Sequence, residues 1–194
     1  MARKACRRID EPGHAHELTF SCYRRLPLLA RDRSRNWLVE AIEAARRTMN
    51  FELWAYVVMP EHVHILLSPR ERPYQISRIL WRIKRPVGLR AIRFLQEHDV
   101  AWLRRLTIER GDGTIERRFW QVGGGYDRNI LDPSTVRSVI AYIHLNPVRR
   151  GLVERPEDWE WSSARWYAGI RPVPIEIDPT IPTLDDARGS SDGV

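Results

Sequence analysis

His62 and His64, separated only by Val63, are the side chains of this sequence best placed to do chemistry together. The residues before them, Phe51 to Met59, are aromatic and β-branched, and Ile65 to Leu67 continue the apolar run. That pattern reads as strand, turn, strand, with Pro60 and Glu61 at the bend. Residues two apart on a strand face one side, so the two imidazoles project together, their Cα atoms roughly 7 Å apart. Two imidazoles on one rigid face make half of a metal site. A second pair, Tyr142 and Asn146, is spaced i, i+4 within a segment of helical character, which puts both on one helix face about 6 Å apart along the axis. An amide oxygen is a hard ligand, and a phenol one turn away stands beside a bound ion without having to coordinate it. Such an ion keeps open positions for phosphate oxygens. A phenol is a weak nucleophile at neutral pH, so charge neutralisation at the attacked phosphate is the larger part of the task.

Each residue also has a plainer reading. A strand histidine pair can bond to backbone or water, and Tyr142 can pack among Val136, Val139, Ile140 and Ile143. Tyr126 is a rival nucleophile, although no ligand candidate follows four residues later. His144 is i, i+2 from Tyr142 and points elsewhere on a helix. Glu61 is read as a turn former. A histidine-triad arrangement would need its third histidine at position 66, where Leu66 stands, and is excluded.

The elements that must position these residues follow from periodicity. Glu17 to Tyr23 alternates apolar and polar side chains, as a half-buried strand does. Ser34 is expected to cap a helix running to about Asn50, with Trp37, Ala41, Ala44 or Ala45, and Met49 along one side. Gln75 to about Glu97 reads as helix, broken or kinked at Pro86. Leu106–Arg110 and Thr114–Phe119 flank Gly111-Asp112-Gly113 as a hairpin, and Gly123-Gly124-Gly125 reads as a flexible link. Asp132 caps, and Pro133 opens, a helix to Asn146 that Pro147 stops. The order predicts an α+β protein, one sheet with helices over one face.

The 194 residues suit one domain, and eight tryptophans with 43% hydrophobic residues supply a core. The net charge is +7 and is carried almost wholly by arginine, lysine occurring only at Lys4 and Lys84. A planar fork of donors suits phosphate, and a basic balance suits a polyanion. The best candidate for a backbone-binding stripe is Arg78, Arg82, Lys84, Arg85, Arg90 and Arg93, with Arg149 and Arg150 following the tyrosine helix. Trp159, Trp161, Trp166 and Tyr167 suit either base stacking or a small closing core. Two cysteines, Cys6 and Cys22, do not make a disulfide framework. The charged N-terminus lacks an apolar stretch after it, and no run is long enough to span a bilayer. A soluble cytoplasmic protein without membrane contact is expected.

Four pieces in order carry a resemblance: Tyr56-Val57-Val58-Met59-Pro60-Glu61-His62-Val63-His64; Phe119-Trp120-Gln121; Tyr142 to Val153; and Asp158 to Ser163. Together they resemble the REP-associated tyrosine transposases, single-tyrosine members of the HUH endonucleases related to small insertion-sequence transposases. The likeness covers about Glu17 to Gly169. It implies a ferredoxin-like antiparallel sheet, His62 and His64 as metal ligands, Tyr142 as nucleophile and Mg²⁺ or Mn²⁺ as the ion. Asn146 stands at the third ligand position, where classical insertion-sequence members usually carry Gln. The implied substrate is single-stranded DNA beside a hairpin of a repetitive extragenic palindrome, cut through a 5′-phosphotyrosine, with the protein on the nucleoid when bound. The alternative is a hairpin-binding protein without transposition activity; an RNA nuclease is a weaker reading. Action as a monomer is expected, against a dimer that exchanges tyrosine helices through the glycine link. The expected division is a basic segment 1–16, the transposase domain 17–153, a Trp-rich extension 154–171 packing on it, and a largely disordered tail 172–194.

Overall fold

The computed structural model describes residues 10, 11 and 13–182, so Cys6, the basic residues near the N-terminus and the last twelve residues lie outside it. Strand β1 is Ala15–Ser21, helix α1 Asp32–Met49, β2 Phe51–Val58, β3 His62–Pro69 and α2 Ile76–His98. A short α3, Val100–Leu106, precedes the hairpin of β4, Thr107–Glu109, and β5, Ile115–Arg117. Then come β6, Tyr126–Ile130, α4, Pro133–Arg149, and α5, Ala164–Tyr167. The main sheet has four strands in the order β2-β3-β1-β6, every neighbouring pair antiparallel. With α1 and α2 as crossovers this is the ferredoxin-like α+β arrangement expected.

The pleat divides the core in two. Leu18 and Phe20 of β1 with Val63, Ile65 and Leu67 of β3 face α1 and α2, whose Leu38, Ile42, Ile79 and Ile83 are fully buried there. The opposite side, with Ala55 and Val57 of β2 and Leu66 of β3, is covered by Val136, Val139, Ile140 and Ile143 of α4. The expectation of helices over one face therefore holds for α1 and α2, while α4 lies on the other side. That is the side on which His62 and His64 emerge, since they alternate with Val63 and Ile65.

Several local expectations are corrected. β1 begins at Ala15, inside the segment assigned to the N-terminal extension, and Cys22, buried and free, ends it with an isolated bridge to Trp120. Ser34 does not cap α1; the helix starts at Asp32, and the Ser34 hydroxyl donates to the Arg31 carbonyl at 2.8 Å. Pro86 does not break α2, which runs unbroken through it from Ile76 to His98 with the ring on the exposed face. Pro147 does not stop α4, which continues to Arg149. Its missing N–H leaves the Ile143 carbonyl without a backbone donor, and the Asn146 amide nitrogen takes that carbonyl at 3.4 Å and the Tyr142 carbonyl at 2.9 Å. The polar edge strand β6 was not anticipated.

The C-terminal residues close the structure. Val58 N–H donates to Trp161 O at 2.8 Å and Ser163 N–H to Tyr56 O at 3.0 Å, which covers the β2 edge. Trp161 is buried, and Trp159 and Trp166 pack against the same core. From Pro172 onward the chain is ordered as far as Pro182, contrary to a disordered tail: Ile175 and Ile177 are buried, and Asp178 pairs with Arg46 at 2.6 Å. Apolar side chains spaced two apart account for it.

Gly125 is a packing requirement rather than a hinge. It sits at φ +75°, and a Cβ there would lie 2.0 Å from the Thr19 carbonyl oxygen. Gly123, at φ +98°, has nothing within 4 Å. Gly125→Ala is expected to lose about 3 kcal/mol or more from strain and overpacking together, and Gly123→Ala about 1 kcal/mol. Urea unfolding of the two variants checks this; equal losses would contradict the close approach at Thr19.

Candidate metal and nucleophile site

Antiparallel register puts Thr19 of β1 opposite His64 of β3 and Ser21 opposite His62. Thr19 Oγ1 lies 2.8 Å from His64 Nδ1. With Nδ1–H donating to that hydroxyl, Nε2 is left with its lone pair outward, the tautomer a metal ligand needs. His62 has Glu61 Oε1 3.2 Å from its Nδ1, an electrostatic contact rather than a directed hydrogen bond. Glu61 also holds Arg150 at 3.0 Å. Its role thus extends beyond the turn assigned to it from sequence.

The two Nε2 atoms stand 3.1 Å apart. Cis ligands of an octahedral ion, with bonds of about 2.1 Å, stand about 3.0 Å apart, so the pair suits a hard divalent cation. Burial holds the His62 pKa below its ordinary value, and nearby Arg25 and Arg150 push the same way while Glu61 opposes them. Burial, with the neighbouring His62 charge, lowers His64 to about 3. Both imidazoles are therefore neutral and ligand-competent at physiological pH.

Helix α4 supplies the rest. The Tyr142 ring meets His64 edge-on, centroids 5.6 Å apart and planes at 87°, and remains 40% exposed, open to a substrate. Asn146 is buried one turn on. Its two carbonyl partners require the amide nitrogen on their side, which leaves Oδ1 as the group for an ion. The Arg149 guanidinium lies 5.1 Å from the Tyr142 ring centre. His144 turns away, bonded to Ser163 Oγ at 2.8 Å, and burial lowers its pKa to about 4.

Thr19, His62, His64, Tyr142, Asn146 and Arg150 line a cleft of about 780 Å³ that also includes Glu17, Arg25, Tyr126 and Arg128. Burial raises the Glu17 pKa, opposed by Arg128 at 3.9 Å. Tyr126, the rival phenol, is on the same cleft, half exposed, and makes no ring contact with either histidine. No group of three or more His, Cys, Asp or Glu capable of holding a metal occurs among the described residues; the candidate third donor, Asn146, is an amide.

Arg25 was missed by sequence reasoning. It follows β1 in a turn where Arg24 and Arg25 both have positive φ, 52° and 53°. Such conformations cost non-glycine residues roughly 1–3 kcal/mol each and concentrate at functional sites. The signal in sequence was only an Arg-Arg pair after a strand.

The α2 stripe is not in the cleft. Arg82 and Arg85 lie over Trp81, with guanidinium carbons 5.9 and 5.2 Å from its ring, and Lys84 Nζ donates to Gly123 O at 3.2 Å. Lys84, Arg85, Arg93 and Trp81 line a separate groove of about 1130 Å³ between α2 and β5. Arg78 is exposed on α2 outside both cavities, and Arg90 turns to α1, paired with Glu40 and 5.2 Å from the Trp37 ring.

The sheet order and the histidine–tyrosine cleft fit the HUH class that the sequence resembles. The chain belongs to the family of IS200-like transposases, whose pattern matches residues 13–146. A Haemophilus influenzae protein assigned as a REP-associated tyrosine transposase is 26% identical over 160 residues, 78% of this chain and 82% of its own. The REP-associated tyrosine transposase of Escherichia coli K12 is 28% identical over 130 residues, 65% of this chain and 62% of its own. The structure of a REP-associated tyrosine transposase bound to a REP hairpin shares the fold, with TM-score 0.66 at 24% identity over 93% of this chain and 94% of that one. Among the described residues no helix is long and apolar enough to cross a membrane.

Thr19→Val removes the hydroxyl at His64 Nδ1 while keeping the strand and its shape. Mn²⁺ affinity measured by calorimetry is expected to fall about 10–100-fold with the circular dichroism spectrum unchanged. Unchanged affinity would show that Thr19 does not orient the ligand.

Proposed function

We propose that this chain is a divalent-metal-dependent endonuclease and strand transferase for single-stranded DNA, acting on REP-type hairpins through a 5′-phosphotyrosine at Tyr142. The observation that carries the reading is the Tyr142 ring against His64, one helical turn from Asn146, over two facing imidazole nitrogens. His62 Nε2, His64 Nε2 and Asn146 Oδ1 would hold Mg²⁺ or Mn²⁺, which when bound polarises the scissile phosphate and offsets its charge.

Tyr142 Oη attacks phosphorus. The Oη–P bond forms as the P–O3′ bond breaks, and the departing O3′ gains the proton that the phenol gives up. The 5′ phosphate stays on Tyr142, so the phosphodiester's energy is conserved and a later 3′-OH rejoins strands by the reverse displacement without ATP. Thr19 and Glu61 orient the histidines, and Asn146 is oriented by its own helix. Arg149 lies over the phenol ring, and Arg150 stands on Glu61 at the cleft. Phosphate-backbone contacts to the hairpin fall to Arg78, Arg82, Lys84 and Arg85 of α2, with Arg149 and Arg150 beside the nucleophile. A hairpin bound to the structural relative supports that partner. The Tyr142 ring meets His64 of its own chain, which supports action as a monomer; a place on the nucleoid in the cytoplasm belongs to the same proposal.

The test is covalent capture of a labelled single-stranded oligonucleotide carrying a REP hairpin, with Mn²⁺ or Mg²⁺. Tyr142→Phe is expected to lose adduct at least about 1000-fold with binding retained, and EDTA to abolish it in wild type. Undiminished adduct in Tyr142→Phe would move the nucleophile to Tyr126. Tight binding with no cleavage at any metal concentration would make the chain a hairpin-binding protein, and cleavage of RNA but not matched DNA an RNA nuclease.

A further inference from the structure

Three arginines line the cleft around His62 and His64. Arg150 stands on Glu61 at 3.0 Å and Arg128 faces Glu17 at 3.9 Å. The guanidinium of Arg25, exposed on the same cleft, has no hydrogen-bond or ion-pair partner among the described residues. Its backbone is nevertheless the most constrained of the three, because the turn that carries it is left-handed at two consecutive arginines.

That turn is braced from both sides. Cys22 N–H donates to Glu61 O at 2.8 Å, which ties it to the residue before His62. The Phe119-Trp120-Gln121 segment holds it from the other: Tyr23 N–H donates to Phe119 O at 2.8 Å, Trp120 bridges Cys22, and Arg24 N–H donates to Gln121 Oε1 at 3.2 Å. Arg25 N–H and Leu26 N–H close the turn on Cys22 O and Tyr23 O, both at 3.0 Å. An exposed arginine of no consequence needs no such brace. A strained backbone held by two separate segments, presenting a guanidinium to the cleft of His62 and His64, is the pattern of a pre-organised anion contact.

We propose that Arg25 is a catalytic residue that binds the non-bridging oxygens of the scissile phosphate. The proposal rests on the endonuclease reading above and deepens it. The guanidinium offers two parallel donors to the phosphate and meets the charge that grows on those oxygens as Tyr142 Oη attacks and O3′ departs. Phe119, Trp120 and Gln121 are positioning residues that hold the turn.

The test compares wild type with Arg25→Gly and Arg25→Lys, using the full chain, Mn²⁺ and a hairpin oligonucleotide. Glycine adopts the φ of this position without steric cost, so Arg25→Gly keeps or raises the thermal midpoint if the side chain serves only substrate. Its single-turnover adduct rate falls about 100-fold or more, and Arg25→Lys recovers part of the loss. With an uncharged methylphosphonate at the cleaved position, the rates of wild type and Arg25→Gly converge to within about threefold, since there is no charge left to neutralise. An adduct rate for Arg25→Gly equal to wild type, a defect undiminished on the methylphosphonate, or a falling thermal midpoint would each overturn the proposal. A parallel arm reads Arg25 without turnover, by oligonucleotide anisotropy in the Tyr142→Phe background. There Arg25→Gly weakens binding of the phosphodiester but not of the methylphosphonate, and equal weakening of both would also overturn it. Wild type that forms no adduct while this arm behaves as stated removes the endonuclease reading and leaves the phosphate contact standing.

Discussion

The register of one strand pair governs the rest of this molecule. In the antiparallel pairing of β1 with β3, Thr19 lies opposite His64 and Ser21 opposite His62, while Leu18 and Phe20 fill the core on the far side. Shifting that pairing by one residue would turn both imidazoles into the α1–α2 core and expose Val63 and Ile65. The burial of Leu18, Phe20, Val63, Ile65 and Leu67, each at most 1% exposed, therefore also points the histidines. Core packing and site geometry are one constraint.

Charge in the cleft is arranged around that pair. Two acidic groups, Glu17 and Glu61, each face an arginine across the rim, and neither is one of the three candidate ion-holding groups. The candidate donors are neutral: two imidazoles kept uncharged by burial and one amide. A divalent cation bound by neutral groups keeps its full charge for whatever anion enters the open positions. This suits a site whose substrate is a phosphodiester, since carboxylate ligands would repel it.

Much of this was legible because it is local. The His-x-His alternation, the i, i+4 spacing of Tyr142 and Asn146, the β4–β5 hairpin around Gly111-Asp112-Gly113 and the α+β order all follow from periods of two and 3.6 residues. What was not legible depends on long-range register or on compensation. Thr19, Glu61 and Arg25 acquire meaning only when β1, its following turn and the β2–β3 hairpin are brought together. β6 escaped because Tyr126 to Arg128 carries little apolar pattern, as an edge strand bonded on one side permits. The proline rules overreached twice: Pro86 faces water, and the carbonyl left by Pro147 is met by the preceding side chain. The ordered stretch to Pro182 was hidden by its polar composition, although Ile175 and Ile177 alternate in it.

The compensation at Pro147 has a consequence for which side chain can stand before it. Two backbone carbonyls ask position 146 for a hydrogen donor, and the cleft asks it for an oxygen. Asparagine offers an N–H donor and a carbonyl oxygen at opposite corners of one planar group. Aspartate, the commoner partner of hard cations, would aim negative charge at two carbonyl dipoles. The helix fixes the rotamer by itself, so an ion taken up there would leave that side chain's freedom almost unchanged.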